Sequence, residues 1–228
     1  MPTKLAANLH LSDSSSELRD LSACWDGGCL EGDGTLGTGT KRSQLELSLH
    51  GVPLAPFGKF LLPEPGTWMG KVNGKMQWSG RMARPSTWKA EGQLTIKNVI
   101  FEHWPFQREE TFASFVPVFK DRLKIEELEV PSFNLQNSRV RVDSMVVRGD
   151  GLDAIAQGSW SFPQRLDFRL QGTLSEDICE DLPRLTRLAL PKTEDGGGKF
   201  KASLAGTFHW QALTPDAEHY GTALQNLF

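Results

Sequence analysis

Cysteine and tyrosine are scarce in this sequence, and it lacks both long apolar runs and surplus positive charge. Its 228 residues include three Cys and one Tyr. Three cysteines do not make a disulfide scaffold. No segment approaches the roughly 18 apolar residues of a membrane helix, and no charged start before an apolar run marks a signal peptide. The net charge of −3 argues against nucleic acid as a partner, because phosphate binding needs a basic surplus.

Residue patterns that carry catalysis or bind metal are also missing. The five histidines are scattered: His10, His50, His103, His209 and His219. No two of them lie four apart on a predicted helix and none lies beside the cysteine pair, so a metal site is not indicated. No nucleophile elbow, phosphate-binding Gly loop or H-E-x-x-H motif occurs. The acidic clusters 109–110 and 126–129 are typical of solvated surfaces, although a glycosidase pair distant in sequence stays an alternative. We predict no enzymatic activity, no metal and no cofactor.

Cys24 and Cys29 flank a predicted hairpin turn. If Asp26 and Gly27 form a two-residue turn, the two cysteines lie directly opposite each other, within bridging distance. A disulfide there would fit an oxidising compartment, and two free thiols are the alternative. Cys179 lies in a helical stretch and is predicted to be buried.

Alternation of apolar and polar residues is the main feature of the chain. It marks three consecutive strands between Arg139 and Leu174, with Val140, Val142, Ser144 and Val146 on the apolar side of the first. Further alternating segments lie at 5–11, 18–25, 29–36, 45–49, 68–80, 88–101 and 199–210. Successive side chains of a strand point to opposite faces, so the pattern predicts a mainly β protein with a long antiparallel sheet, apolar on one face.

Interruptions of the alternation carry information as well. The prolines between Val52 and Pro65 forbid a central strand there. The phase slips by one residue near Asn98, which predicts a β-bulge, and again at Glu126–Glu127. Glycines recur mid-strand on the apolar side, at Gly74, Gly92, Gly158, Gly172 and Gly206. Strong curvature of the sheet is one explanation for these glycines, and chance is the other.

Two segments follow the helical period instead. The first stripe, at positions i, i+3, i+4 and i+7, consists of Phe112, Phe115, Val116 and Phe119. The second, after a potential N-cap at Ser175, consists of Ile178, Leu182 and Leu185, and Pro183 divides it into two short helices. We predict a single β domain over 1–210 and a weakly ordered tail over 211–228. Because strand-like alternation begins almost directly after Met1, we expect the sequence to be a piece of a longer protein.

The order of these elements resembles the C-terminal region of the AsmA-like family of bacterial envelope proteins. The matching segments are a strand pair with mid-strand glycines (70–80 and 91–99), the apolar helix at 112–119, and strands at 123–130 and 137–143. Strands at 156–162 and 166–174, the helix containing Leu-Pro-Arg-Leu (182–185) and the strand at 200–208 follow in the same order. The likeness covers roughly residues 18–210 and consists of patterns rather than catalytic signatures.

The resemblance implies a non-enzymatic module of an inner-membrane-anchored protein in the bacterial periplasm. It implies a long, strongly curved antiparallel sheet that forms an apolar groove or half-open barrel, with two short amphipathic helices packed on it. Family members are implicated in phospholipid transport and outer-membrane assembly and homeostasis, and are similar to bridge-like lipid-transfer proteins. The expected partners are therefore phospholipid or another acyl-chain lipid and other envelope proteins, with the anchor in upstream sequence.

Apolar side chains of successive strands would line such a groove. They are Trp68, Val72, Met76, Trp78, Trp88, Leu94, Ile96, Val140, Val142, Trp160, Phe162, Leu166, Phe168, Leu170, Phe200, Leu204 and Phe208. The two helical stripes are predicted to cover it. A closed core, in which the same residues pack against the helices or a second sheet, is the alternative. The competing function is a secreted β-sandwich for binding or adhesion, with a carbohydrate or protein partner.

Overall fold

The structure, a computed structural model, describes residues 2–11, 15–37, 40–55, 67–82, 84–102, 122–161, 165–182, 184–207 and 210–215. The first six strands are β1 (Lys4–Leu11), β2 (Ser15–Trp25), β3 (Gly28–Gly37), β4 (Ser43–Pro53), β5 (Thr67–Arg81) and β6 (Arg84–Glu102). They are followed by β7 (Arg122–Gln136), β8 (Arg139–Gly149), β9 (Leu152–Ser161), β10 (Arg165–Leu174), α1 (Glu176–Asp181), α2 (Arg184–Ala189), β11 (Gly198–Thr207) and β12 (Trp210–Pro215).

All twelve described strands belong to one antiparallel sheet whose strand order is the order of the sequence. Each strand pairs with its neighbours in the chain, which short turns make possible because antiparallel strands need no crossover. Among the described strands, β1 pairs only with β2 and β12 only with β11, so the sheet is open at both edges. The prediction of a mainly β, antiparallel sheet is confirmed, and the sheet is not closed into a barrel.

The β2–β3 hairpin has the register that its turn residues predict. Asp26 and Gly27 form the turn, with Gly27 at a φ of 93°, and Cys24 pairs with Cys29. Their Cα atoms lie 4.1 Å apart and their sulfur atoms form a disulfide.

The phase slip at Asn98 is a β-bulge, as predicted. Asn98 adopts a φ of 53°, and the pairing of β5 with β6 shifts between Met69 and Lys71. Asn tolerates this left-handed conformation better than most residues. The bulge lets Val99, which is fully buried, continue the apolar side of β6. A second register shift lies between Ile125 and Glu127, at the other predicted slip.

The alternation in β8 was predicted incorrectly beyond Val142. The register shifts between Val142 and Met145, so Met145 and Val147 pair with Ala156 and Ala154 on the apolar face. Val146 instead pairs with Ile155, which is 47% exposed on the other face. A bulge inserts one residue and reverses the side of all that follow. The sequence shows no break there, because Val146 and Val147 fit either phase.

One proline ends β4 and another lies within β7, and the prediction that no central strand includes Val52 and Pro53 is wrong. Pro53 is the last residue of β4 and pairs with Lys71, beside the fully buried Val52. Pro131 lies within β7, where the pairing to β6 shifts between Gly92 and Leu94. Proline lacks a backbone N–H, and strand ends and bulges are the positions that do not need one. The rest of the proline-rich segment, 56–66, lies outside the described residues.

The last predicted strand, 199–210, is two strands. β11 ends at Thr207 and β12 begins at Trp210, opposite Thr207. Leu213 then pairs with Leu204, so residues 211–215 extend the sheet into the segment predicted as a weakly ordered tail. Residues 216–228 of that tail lie outside the described residues.

The second helical stripe forms the two short helices predicted around Pro183. Ser175 is the N-cap of α1, and its Oγ accepts a hydrogen bond of 3.4 Å from the backbone N–H of Ile178. Ile178 and Leu182 are buried. The other predicted helix, with Phe112, Phe115, Val116 and Phe119, lies outside the described residues. Neither described helix is long and apolar enough to cross a membrane.

Candidate functional site: an apolar face of the sheet

Residues that pair directly on neighbouring strands point to the same face of a sheet, so the register shows how apolar side chains align. Four rows of such pairs cross one face, which we name the apolar face. Row one runs from β4 to β11 and consists of Val52, Val72, Ile96, Leu128, Val147, Ala154, Gly172 and Phe200. Row two has two parts, from β1 to β7 and from β8 to β11: Leu5, Ala23, Leu30, Leu49, Gly74, Leu94 and Val130, then Met145, Ala156, Leu170 and Ala202.

The other two rows extend across nearly the whole sheet. Row three consists of Leu21, Gly32, Leu47, Met76, Gly92, Phe133, Val142, Gly158, Phe168 and Leu204. Row four consists of Leu9, Leu18, Gly34, Leu45, Trp78, Ala90, Leu135, Val140, Trp160, Leu166 and Gly206. The apolar face is therefore continuous, and it contains no charged residue in any of the four rows.

Most of the predicted groove-lining residues lie together in these rows. Val72, Val142 and Leu166 are buried, at 7–8% exposure. The half-buried members are Met76, Trp78, Leu94, Ile96, Val140, Trp160, Phe168, Leu170, Phe200 and Leu204. Trp68 pairs with Phe101 in the β5–β6 ladder. Phe162 and Phe208 lie outside the described residues. Leu128, Phe133 and Leu135 are further row members whose alternation the sequence shows, whereas Val147 lies on the apolar face only because of the bulge after Val142.

Two tryptophans pack together near the β5–β6 turn. The rings of Trp78 and Trp88 meet edge to face, with centroids 5.9 Å apart and an interplanar angle of 75°. The indole Nε1 of Trp88 donates a hydrogen bond of 3.0 Å to the backbone oxygen of Arg81. The hydrogen bond holds the Trp88 indole through its only polar atom, and the apolar surface of that ring packs beside Trp78 of row four.

The mid-strand glycines have a packing role. A Cβ at Gly92 would lie 2.8 Å from the Cα and 2.9 Å from the Cβ of Met76, its partner on β5. A Cβ at Gly74 would lie 2.6 Å from the Cδ2 of Leu94, its partner on β6. These glycines therefore leave room for the larger side chain opposite. The predicted role of the glycines in sheet curvature stays a prediction.

The two helices pack at one end of the apolar face. Ile178, Leu182 and the free Cys179 form a buried cluster with Leu174 and Leu190, against which Leu152 and Phe200 also pack. Phe200 belongs to row one and also packs against the main core around Val52 and Val99. The helices thus contact the starts of β9 and β11 and the end of β10. The pKa of the Cys179 thiol is raised, chiefly by burial and slightly by Glu176, with Arg187 partly offsetting it.

The opposite face, which we name the polar face, carries the charged side chains. The carboxylate of Glu127 lies 2.9 Å from Arg148 Nη1 and 3.5 Å from Lys97 Nζ, and Arg148 also lies 3.7 Å from Glu129. These pairs are partly exposed, so each contributes at most about 1 kcal/mol. The described residues contain no cluster of three or more metal-ligating side chains. The two faces therefore offer binding surfaces of opposite chemistry rather than a set of reactive groups.

Comparison with known proteins adds no relative. Neither the family models, nor the curated proteins, nor the solved structures contain a match to this chain. No family is shown. What can be inferred about function therefore rests on the sheet and its two faces.

Proposed function

We propose that the protein binds the acyl chains of a lipid along the apolar face of its sheet. The observation that supports this most is the alignment of the four apolar rows on one face over most of the twelve strands. Every described strand belongs to this one sheet, so no second described sheet packs on that face. In this proposal the sheet curls into a groove or half-open barrel whose wall is the apolar face.

Acyl chains fit a surface of this composition. Burying one methylene group contributes about 0.8 kcal/mol, so a chain of ordinary length gains its affinity from many weak contacts. Such contacts need no directional polar partner and can be exchanged one at a time as a chain slides. Rows of Leu, Val, Met and aromatic side chains provide a continuous path for this movement across the strands.

The proposal extends to the setting implied by the AsmA-like resemblance. In it, the protein is a non-enzymatic module in the bacterial periplasm that conducts phospholipid or supports outer-membrane homeostasis, anchored through upstream sequence. The disulfide between Cys24 and Cys29 supports an oxidising compartment. The helices, packed against Leu152 and Phe200, would close one end of the groove.

Lipid binding can be tested on the purified protein. We expect mass spectrometry of gently extracted protein to detect phospholipid or fatty acid, and a fluorescent fatty acid to bind. Phe168→Ala, on the apolar face, should weaken that binding by about threefold or more, because it removes most of a large apolar contact. Ile155→Ala, on the polar face of neighbouring β9, is the matched control and should leave it unchanged.

Two results would contradict the proposal. One is protein free of lipid together with flat binding curves. The other is an equal loss of affinity in Phe168→Ala and Ile155→Ala. A positive glycan array with no lipid would instead favour the alternative, a secreted binding or adhesion module, although that alternative assumed a two-sheet sandwich and the described strands form one sheet.

A further inference from the structure

Charge is unevenly distributed along the sheet. Strands β2 to β4 contain five acidic residues and one Arg: Glu17, Asp20, Glu31, Asp33, Glu46 and Arg19. Strands β8 to β11 contain seven basic and three acidic residues: Arg139, Arg141, Arg148, Arg165, Arg169, Lys199, Lys201, Asp143, Asp153 and Asp167. A protein with a net charge of −3 thus carries a basic region on the last third of its sheet. Over all of 139–207, with turns and helices included, ten basic residues are balanced by ten acidic ones, so the positive surplus belongs to the strands alone.

A concavity of about 1100 Å³ lies in this basic region, on the polar face of β7 to β10. Its guanidinium groups come from β8 and β10, the two strands that flank β9. Its charged lining residues are Arg139, Arg141, Arg169, Asp143 and Asp167, and the polar ones used below are Asn134, Gln157 and Ser159. Strands two apart in a sheet are separated by about 10 Å, which leaves room over β9 for one anionic group between long side chains. We name this space the β9 trough.

The side chains of the trough are positioned by the register and by hydrogen bonds. Arg141 pairs with Ser159, and Gln157 pairs with Arg169. Arg139 Nη2 donates a hydrogen bond of 2.7 Å to the Oγ of Ser159, which is only 5% exposed. Arg141 Nε lies 2.9 Å from Asp143 Oδ1. This ion pair engages Nε and leaves the two terminal nitrogens of the Arg141 guanidinium as donors for a ligand.

Arg169 completes the trough from the other side. Its guanidinium forms no hydrogen bond or ion pair with another described residue. It therefore offers its full planar set of donors, which matches the oxygens of a phosphate or carboxylate. The amides of Asn134 and Gln157 can both donate and accept, as hydroxyl groups of a ligand require.

We propose that the β9 trough binds a phosphorylated ligand that carries hydroxyl groups beside the phosphate, such as a sugar or glycerol phosphate. Arg139, Arg141 and Arg169 hold the phosphate, and the neighbouring amides bind the hydroxyl groups. The trough lies on the opposite face of the sheet from the four apolar rows. This site is therefore separate from the proposed lipid surface and does not depend on it.

The test is a calorimetric titration of the full chain with three probes: glycerol 3-phosphate, inorganic phosphate and glycerol. We expect glycerol 3-phosphate to bind more tightly than inorganic phosphate, and glycerol to show no binding. The triple variant Arg139→Gln, Arg141→Gln, Arg169→Gln should bind glycerol 3-phosphate about tenfold more weakly or worse, because charge-assisted hydrogen bonds are lost. Arg19→Gln, which removes an exposed Arg of β2 paired with Glu17, is the matched control and should bind like the wild type.

Folding of each variant is checked by circular dichroism. Should the triple variant not fold, Arg169→Gln alone is decisive, because its guanidinium has no described partner; about threefold weaker binding is expected. The proposal is overturned if neither glycerol 3-phosphate nor phosphatidylglycerol vesicles bind, if inorganic phosphate binds as tightly as glycerol 3-phosphate, or if Arg19→Gln loses as much binding as the arginine variants. Vesicles with and without phosphatidylglycerol distinguish a lipid headgroup from a free ligand. Vesicle binding that the arginine variants abolish supports the site and identifies its ligand as a headgroup.

Discussion

Gly92 illustrates how a single residue determines packing on the apolar face. A Cβ at this position would approach the backbone of Lys75 and both the Cα and Cβ of Met76, so a side chain requires the strands to move apart. We expect Gly92→Ala to lower the free energy of unfolding by about 1–3 kcal/mol, the usual cost of overpacking. Gln93→Ala, on the polar face of the same strand, should change it by less than about 0.5 kcal/mol. Urea denaturation measures both, and equal midpoints for the two variants would contradict the role given to Gly92.

Cys179 is the residue whose chemistry the fold alters most clearly. Burial raises the pKa of its thiol, and the thiolate is the reactive form. We expect iodoacetamide to label Cys179 slowly in the native protein and rapidly in urea, with native labelling rising only at a more alkaline pH than in a Cys-containing peptide. Because the unfolded chain loses this proton at a lower pH, the stability contributed by the neutral thiol falls as pH rises through the ordinary thiol range. Equal labelling rates in native protein and urea would show that the thiol is accessible.

At the scale of elements, the short helices depend on their contacts with the sheet. Six residues are too few for a helix to be stable by itself in water, so α1 must be held by Ile178 and Leu182. We expect Ile178→Ala to cost about 2–4 kcal/mol and to remove hydrogen-exchange protection from α1 and α2. The control, Leu188→Ala, removes a side chain of α2 that is 45% exposed and should cost less than about 0.5 kcal/mol. Retained protection in Ile178→Ala would mean that other contacts hold the helices.

Elements were predictable wherever one period persists long enough to be read. The strands β5, β9 and β10 follow from alternation, and the bulge at Asn98 follows from its loss of phase. The break between the two helices follows from Pro183. The bulge after Val142 left no sign, because two adjacent valines fit either side of the strand. The proline rule gave a wrong boundary at Pro53, since a strand can end at a proline without losing a hydrogen bond.

The β9 trough was not predicted at all. Arg139, Arg141 and Arg169 are brought together only by the register of β8, β9 and β10, although charge counted strand by strand would have indicated the basic strands.

At the scale of the whole molecule, the edge formed by β1 is exposed. Leu5, Leu9 and Leu11 are 71%, 52% and 76% exposed, and the outer side of this strand has no partner among the described strands. Open edges with apolar side chains pair readily with another chain. We expect the protein to self-associate at high concentration, and Leu9→Lys to reduce this, as measured by sedimentation velocity. Met82→Lys changes a similarly exposed residue at the β5–β6 turn and should have no such effect. Identical sedimentation of all three proteins would mean that the edge is inert.

The order of the strands has a consequence for how such a chain can change. Because each strand pairs only with those before and after it, removing or duplicating one hairpin alters no other pairing. The length of the molecule is therefore an adjustable quantity, set in steps of two strands, or about 10 Å. Each added hairpin lengthens the apolar face and the polar face by the same amount. Duplication of an internal segment of the gene would therefore give a protein that spans a greater distance with the same two surfaces.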